Sequence, residues 1–192
     1  MKNIDSKYHL ASLLFGVFIF LFWWLGFPQA LNYQEQNQLF LFSSDYFWNN
    51  LSIAGGLADY ISEFIVQFHY VPWLGSILLA LLFITFQQLT WKLMKPYGRA
   101  HFPLSFLPAI LMIWHMGDIN TLLSFPVATL LTLFSACVAR SMHRGFDLLI
   151  VPLLYWLVGP TVWIYVLLRC FDNGLKSFWA MAYLVGIQGL AY

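Results

Sequence analysis

Four carboxylates lie in one segment of the chain, residues 32–70, that contains no lysine or arginine. They are Glu35, Asp45, Asp59 and Glu63. Proteins use carboxylates as general bases and as oxygen ligands for divalent cations. An acidic cluster without a compensating base lowers stability unless water, a cation or a basic partner offsets the repulsion. This segment is therefore the first candidate for a functional site.

Asp45 and Glu35 are the two candidates for catalysis. Asp45 stands between Phe42 and the aromatic run 46–48, and a carboxylate in aromatic surroundings is a candidate general base. The alternative for Asp45 is a structural role as a helix cap or turn former. Glu35 stands in a stretch rich in Gln and Asn, residues 34–38, where it could bind a sugar or a phosphate or simply solvate the loop.

Asp59 and Glu63 are the candidates for cation binding. Apolar residues recur around them at spacings of three and four, which predicts one face of an amphipathic helix along the membrane interface: Leu57, Ile61, Phe64 and Phe68. Asp59 and Glu63 share another face of that helix, at a separation of about 6 Å. This spacing suits a divalent cation, whose identity the sequence leaves unknown, and a solvated polar face is the alternative. No other cofactor is evident.

His115 and Asp118, in the sequence WHMGDIN, are predicted as a further pair of binding residues. They lie at the end of an apolar run, where ionisable side chains are functional candidates, and their spacing of three places them on one helical turn. A solvated turn at the membrane edge is the alternative. The sequence has no Walker loop and no HExxH, CxxC or GxSxG motif, which disfavours an ATPase, a zinc protease and a serine hydrolase.

The composition predicts that helices in a membrane position these residues. Of the 192 residues, 61% are hydrophobic and 9% are charged, whereas a soluble domain has about 25% charged residues. We predict an all-α fold, a single polytopic transmembrane helix bundle with amphipathic interfacial helices in its first external loop, residues 32–70. The apolar runs place the spans at about residues 10–31, 71–91, 102–116, 119–139, 146–158, 161–171 and 178–192.

The distribution of charge predicts the orientation of this bundle. Cytoplasmic loops collect lysine and arginine, and this layout places all nine Lys and Arg residues on one side of the membrane. The N-terminus is then cytoplasmic, in what we expect to be a bacterial inner membrane. The arrangement requires a hairpin turn at Gly159-Pro160. The alternative is a single span kinked by Pro160, which gives six passes instead of seven and places Arg169 and Lys176 outside.

Two segments of the chain resemble a known family: residues 33–68 (YQEQNQLFLFSSDYF…GGLADYISEFIVQF) and residues 155–160 (YWLVGP). They are similar to a family of large multi-span membrane proteins of unknown function from Bacteroidota. The resemblance covers most of the chain, and the members of that family are longer. The last apolar run also continues to Tyr192 without a polar or basic stop. We therefore expect this chain to be the N-terminal part of a larger protein.

The overall layout also resembles the GT-C glycosyltransferases, which use lipid-linked sugars. The resemblance implies a polyprenyl-phosphate-linked sugar as a partner, besides the lipid bilayer. It also implies that Asp45 is the catalytic loop carboxylate, with Glu35 as the next choice. The chain departs from that pattern in two ways: no paired acidic motif follows the first span, and the external side has no basic residue for the lipid phosphate.

Two classes of function are therefore predicted. The first is a GT-C-like glycosyltransferase or a fragment of one. The second is a non-catalytic membrane assembly or interaction protein whose external loop docks an envelope protein. A transporter is disfavoured because few polar residues lie within the spans, and no nucleic-acid partner is predicted.

Overall fold

Residues 2–118, 120–142 and 146–173 are described by the computed structural model of the chain. These residues fold into helices and turns without a β-strand, so the predicted all-α class is confirmed for the described part of the chain. The predicted span at 178–192 lies outside the described residues, as do Arg144 and Lys176.

The described residues form nine α-helices. They are α1 (Lys2–Leu21), α2 (Pro28–Asn37), α3 (Ser44–Leu51), α4 (Gly56–Val66), α5 (Pro72–Met94), α6 (Leu107–His115), α7 (Ser124–Ala139), α8 (Asp147–Val158) and α9 (Val162–Asn173). A π-helical turn, Phe22–Gly26, extends α1, and short 3-10 turns at Gln67–Tyr70 and Pro103–Phe106 lead into α5 and α6.

The first apolar run does not form one continuous span from 10 to 31. The helix that begins as α1 ends at Gly26, and Phe27 has left the helical region at φ −136° and ψ 45°. Pro28 then begins α2. A residue that precedes proline is disfavoured in the α-helical region, because the proline ring clashes with its backbone. The proline itself suits the first position of the next helix, where no N–H donor is required.

Six helical segments run back and forth between two ends of the bundle: α1, α5, α6 with its preceding turn, α7, α8 and α9. At one end, the rings of Tyr8, Trp91 and Phe102 cluster with centroids 4.3 to 5.4 Å apart. Arg140, which follows α7, donates to the carbonyl of Leu93 near the end of α5 at 2.7 Å. We call this the basic end, because the described Lys and Arg side chains lie there.

The opposite end carries residues 32–70, and we call it the loop end. There the backbone N–H of Gly55, between α3 and α4, donates to the carbonyl of Trp156 in α8 at 2.8 Å. Gly55 has a φ of +92°, which glycine adopts without strain. Gly159 lies so close that a Cβ added to it would be 3.4 Å from the Cα of Gly55. The connection between α3 and α4 therefore rests directly on the turn between α8 and α9.

Helices α8 and α9 form an antiparallel hairpin. Asp147, which begins α8, accepts hydrogen bonds from Tyr165 at 2.6 Å and from Arg169 at 2.8 Å. Asp147 and Arg169 are 22 residues apart, and a straight helix would separate them by about 33 Å. The chain reverses instead at Gly159, where φ is 68° and ψ is −144°. This segment is therefore a hairpin and not a single kinked helix.

Within the described part of the chain, three stretches are long and apolar enough to cross a membrane: Lys7–Gly26, Pro72–Tyr97 and Asp147–Asp172. The third stretch is the hairpin of α8 and α9. Each of these two helices is therefore shorter than an upright span, which needs about 20 residues. Helix α7 is apolar as well but shorter. Helix α1 exposes large apolar side chains along its length, among them Leu10, Leu14 and Phe18. Such a surface suits contact with lipid.

A buried polar network holds three segments of the bundle together. Gln87 of α5 is fully buried. Its side-chain oxygen accepts from the Ser12 hydroxyl of α1 at 2.7 Å, and its amide nitrogen donates to the Ser105 hydroxyl before α6 at 2.8 Å. Because both ends of the amide are hydrogen-bonded, the burial of Gln87 leaves neither end unpaired.

Cysteine labelling tests the predicted orientation. In a background with Cys137 and Cys170 replaced by alanine, a membrane-impermeant maleimide is expected to label Asn49→Cys and Pro160→Cys in intact cells. The same reagent is expected not to label Lys95→Cys until the cells are permeabilised. Asn49 and Pro160 are exposed at the loop end, and Lys95 is exposed at the basic end. Labelling of Lys95→Cys alone in intact cells would mean that the chain inserts the other way round.

Candidate functional site

Asp45 occupies the first turn of α3 and is exposed. The hydroxyl of Ser43 caps this helix by accepting the backbone N–H of Tyr46 at 3.1 Å. A carboxylate in the first turn stabilises a helix by about 0.3–1 kcal/mol through its interaction with the helix dipole. The neighbouring rings do not enclose it, since Phe42 is 84% and Trp48 is 64% exposed. The surroundings of Asp45 therefore suit the helix-terminal alternative as well as they suit catalysis.

Glu63 is held by Tyr46, whose hydroxyl donates to its carboxylate. Burial, and then this hydrogen bond, raise the pKa of Tyr46 above its usual value. The contact fixes α3 against α4. Asp59 lies one turn before Glu63 and is half-buried. Among the described residues no group of three or more His, Cys, Asp or Glu side chains could hold a metal ion, so the predicted cation has no third ligand of these types there.

Glu35 lies on α2 beside a cavity of about 240 Å³, which we call the amide pocket. The pocket lies between α2 and the connection from α6 to α7, and its lining residues are Tyr33, Gln34, Asn37, Gln38, Asn120, Thr121, Leu122 and Leu123. Gln34 is 6% exposed. The side-chain oxygens of Gln34 and Gln38 are buried and accept no hydrogen bond from the described residues. A buried acceptor without a hydrogen bond lowers the stability of the folded state. These two oxygens are therefore candidates for accepting a hydrogen bond from a ligand.

His115 and Asp118 line one open recess of about 620 Å³ at the loop end, together with Leu111, Trp114 and Gly117. We call it the polar recess. Asp118 accepts from the backbone N–H of Asn120 at 2.9 Å, which fixes the turn that follows α6. His115 packs its ring edge-on against Phe125, with centroids 5.7 Å apart. The predicted pair therefore shares one site, and both side chains are exposed to it.

An apolar groove of about 520 Å³ adjoins the polar recess. It lies between α5, α6, α7 and α9, and its lining residues are Phe86, Thr90, Leu93, Met94, Pro108, Leu111, Met112, His115, Phe125, Thr129, Leu133, Ile164 and Leu168. Its two threonine hydroxyls donate to carbonyls of their own helices and so offer no free donor to a ligand. Leu111 and His115 line both the groove and the recess. The two cavities therefore meet at the last turn of α6.

The six predicted site residues fall into two groups. His115 and Asp118 line the recess, and Glu35 lies on the helix that forms one wall of the neighbouring amide pocket. Asp45, Asp59 and Glu63 lie on α3 and α4 and line none of these three cavities. Sequence reasoning missed the apolar groove, because its residues repeat with the same spacing as core residues. The only signal for the amide pocket was the stretch rich in Gln and Asn at 34–38.

Among the described side chains, two ion pairs lie at the basic end, near the end of the apolar groove that is lined by Leu93 and Leu168. Arg169 pairs with Asp147 at 2.8 Å and donates to the carbonyl of Ala139 at 3.0 Å. Arg140 pairs with Asp172. Both pairs join α9 to another part of the bundle, so they hold the hairpin in place.

The comparisons with known proteins leave the function to be inferred from this geometry. A family model described as a family of unknown function (DUF6057) matches residues 2–192. No curated protein and no solved structure matches the chain.

Proposed function

We propose that this chain, which belongs to the DUF6057 family of unknown function, binds a polyprenyl-phosphate-linked sugar as a membrane glycosyltransferase of the GT-C type or part of one. The observation that carries the proposal is the continuity of the apolar groove with the polar recess through Leu111 and His115. An apolar channel that ends in a polar chamber has the shape of a site for an amphiphile. The amide pocket supplies a third compartment, built by the connection that also contains Asp118.

The apolar groove suits the lipid tail. Its volume of about 520 Å³ accommodates the first units of an isoprenoid chain, and the remainder would stay among the lipids. The groove extends from Phe125 to Leu133 along α7, which corresponds to about 12 Å. A tail that leaves lipid for a protein groove gains little from the hydrophobic effect, because both environments are apolar. Shape and contacts with the polar head must therefore provide the selectivity.

The polar recess suits the phosphate and the reacting bond. His115 is the only described residue of the recess that can carry a positive charge, and its ring N–H can donate to a phosphate oxygen. Asp118 is the carboxylate in the same recess. It would accept the proton of an acceptor hydroxyl while that oxygen bonds to the sugar carbon. The bond from this carbon to the lipid phosphate breaks, and the phosphate leaves with the electron pair.

The amide pocket suits a neutral sugar. Its polar lining consists of amides and hydroxyls, and no charged side chain contributes to it. The unpaired oxygens of Gln34 and Gln38 can accept hydrogen bonds from sugar hydroxyls, and the ring of Tyr33 can pack against a sugar face. Glu35 lies on the same helix as these residues without lining the pocket, and it is the second choice for the base. Asp45 remains the choice implied by the GT-C resemblance, and its role is separable from that of Asp118 by experiment.

Binding of a polyprenyl-phosphate-linked hexose to the full chain in lipid nanodiscs tests the groove. Leu111→Trp should fill the junction between groove and recess and weaken binding about tenfold, a loss of about 1.4 kcal/mol. Ile110→Trp is the matched control, because Ile110 and Leu111 are each 50% exposed and only Leu111 lines the cavities. Equal binding by the two variants would exclude the groove as the tail site.

Complementation of a deletion strain, read out by profiling of envelope glycans, tests the carboxylates. Asp118→Asn is expected to abolish activity while the hexose lipid still binds, because the substitution removes the base and keeps the shape. Asp45→Asn is the parallel variant. Loss of activity in Asp45→Asn alone would move the catalytic role to the loop carboxylate. Full activity of both variants would remove these two residues from catalysis.

A second candidate function is docking of an envelope protein by the external loop. The observation that favours it is a set of exposed apolar side chains between α2 and α4: Leu39 at 79%, Phe42 at 84% and Trp48 at 64%. Exposed aromatic clusters mark many protein interfaces. In this case Phe42→Ser combined with Trp48→Ser should abolish complementation, and the two carboxylate variants should retain it.

A further inference from the structure

We propose that the cavity between α1 and α5 at the basic end is a binding site for the phosphate headgroup of an anionic lipid. The cavity has a volume of about 450 Å³. Its lining residues are Tyr8, His9, Ser12, Thr85, Gln88, Leu89, Trp91, Lys92, Lys95 and Phe102. We call it the phosphate cavity. The site is separate from the groove and the recess, with which it shares no residue, and it does not depend on the proposed function.

The lining of the phosphate cavity includes two positively charged side chains, those of Lys92 and Lys95. Lys92 and Lys95 are exposed and form no ion pair with the residues whose side chains the structure describes, which exclude residues 1–6. Asp147 and Asp172, the carboxylates at this end whose side chains the structure describes, are each committed to an arginine. Lysine ammonium groups are common phosphate ligands, because they act as mobile point charges. An anion that enters this cavity therefore meets two ammonium groups.

The polar lining extends along α5 beyond the lysines. Thr85, Gln88, Lys92 and Lys95 recur at spacings of three and four, so they form one stripe, and ten residues of helix correspond to about 15 Å. Gln88 is exposed, and its amide makes no hydrogen bond to the described residues. Leu81, one turn before Thr85, is 55% exposed, as suits a face in contact with lipid.

An unpaired amide on such a face is unfavourable unless a polar group fills the space beside it. A phosphate and its attached alcohol would reach from the lysines toward Gln88 and satisfy the amide. Ions dissolved in the surrounding water would neutralise the lysines without reaching this depth. The stripe therefore favours a lipid headgroup, whose position in the bilayer coincides with that depth.

The walls of the phosphate cavity are preformed. Tyr8, Trp91 and Phe102 pack their rings on one another, with the closest centroids 4.3 Å apart. Farther along, Gly16 lets α1 approach α5 so closely that a Cβ would lie 2.0 Å from Ile84 Cδ1. The helices are in contact there, and nearer the basic end the rings of Tyr8 and Trp91 still connect them. Aromatic rings at this level are typical of residues that meet lipid headgroups.

Native mass spectrometry of the full chain with phosphatidylglycerol tests this site, with phosphatidylcholine as the zwitterionic comparison lipid. Lys92→Gln combined with Lys95→Gln is expected to weaken phosphatidylglycerol binding about tenfold. Arg99→Gln is the matched control, because Arg99 is exposed at the same end and does not line the cavity. An equal loss in Arg99→Gln would show that only general surface charge attracts the lipid, and it would overturn the proposal.

Two further experiments test how deep the headgroup binds and whether the phosphate belongs to a lipid or to a soluble ion. Gln88→Leu keeps the net charge of the protein. It is expected to weaken phosphatidylglycerol binding without changing the melting temperature. Unaltered binding by this variant would contradict a headgroup at the depth of Gln88. Inorganic phosphate at millimolar concentration is expected to leave the bound lipid in place. Displacement of the lipid by inorganic phosphate would overturn the lipid assignment and identify a site for soluble phosphate.

Discussion

Asp147→Ala is expected to destabilise the chain by about 3–5 kcal/mol, because it leaves a buried arginine without its partner. Arg169 is 5% exposed, and its guanidinium makes three hydrogen bonds to the Asp147 carboxylate at 2.8 to 3.1 Å. Tyr165, which is fully buried, donates to the same carboxylate. The variant therefore leaves the charge of Arg169 and the hydroxyl of Tyr165 without the carboxylate between α8 and α9. The hairpin is the part of the chain expected to unfold first.

The double variant Asp147→Leu with Arg169→Met is the control for this prediction. Removing both charges is expected to cost far less than removing one, since no unpaired charge remains in the interior. Asp172→Ala should also have a smaller effect than Asp147→Ala, because the side chains of Arg140 and Asp172 are 25% and 16% exposed. Unfolding by a denaturing detergent in mixed micelles measures all three. Equal losses for Asp147→Ala and Asp172→Ala would contradict the assigned difference in burial.

Acidification from pH 7 to pH 4 is expected to destabilise the loop end by about 3 kcal/mol through one residue, His69. His69 precedes α5 and is fully buried. It packs so closely against Gly75 that a Cβ added to Gly75 would lie 2.7 Å from Cδ2 of His69. Neither ring nitrogen has a hydrogen-bond partner among the described residues. Burial disfavours the imidazolium and lowers the pKa of His69 from 6.5 to about 4.

The direction of this pH dependence follows from the lowered pKa. The folded state favours neutral His69, so its contribution to stability is fully present above pH 6.5 and is lost as the pH falls toward 4. His69→Leu is expected to remove this part of the pH profile and to cost little at pH 7, because an unpaired imidazole is replaced by an apolar side chain. His9→Leu, at an exposed position, should leave the profile unchanged. Retention of the acid-induced loss in His69→Leu would assign it to another group.

Several features of the fold could be predicted from local signals. The alternative role of Asp45 as a helix cap or turn former placed a helix start near this residue, and Asp45 lies in the first turn of α3. The one-sided distribution of lysine and arginine required a reversal at Gly159-Pro160, and the chain reverses there. The grouping of His115 with Asp118 followed from their spacing. In each case the signal lies within a few residues or in the order of charges along the chain, so it does not depend on tertiary packing.

The break at Phe27 was also encoded locally, by Pro28, but the continuous apolar run from 10 to 31 concealed it. Sequence reasoning weighed hydrophobicity above the conformational limit that proline imposes on the residue before it. The result is that α2 is a separate helix, and this helix forms one wall of the amide pocket. A single residue, Pro28, therefore decides that residues 28–31 belong to α2 and not to the first span.

By itself, the sequence determined the all-α class of the described residues, the apolar character of the helices and the location of the described lysines and arginines at one end. Only the tertiary structure decided which residues meet: the Asp147 and Arg169 pair, the groove that joins the polar recess, and the phosphate cavity between α1 and α5. The physical reason lies in the helices themselves. Helices α7 and α8 carry apolar side chains on all sides, so their periodicity does not distinguish a face that contacts lipid from one that contacts protein. That distinction arises from packing between residues far apart in the chain.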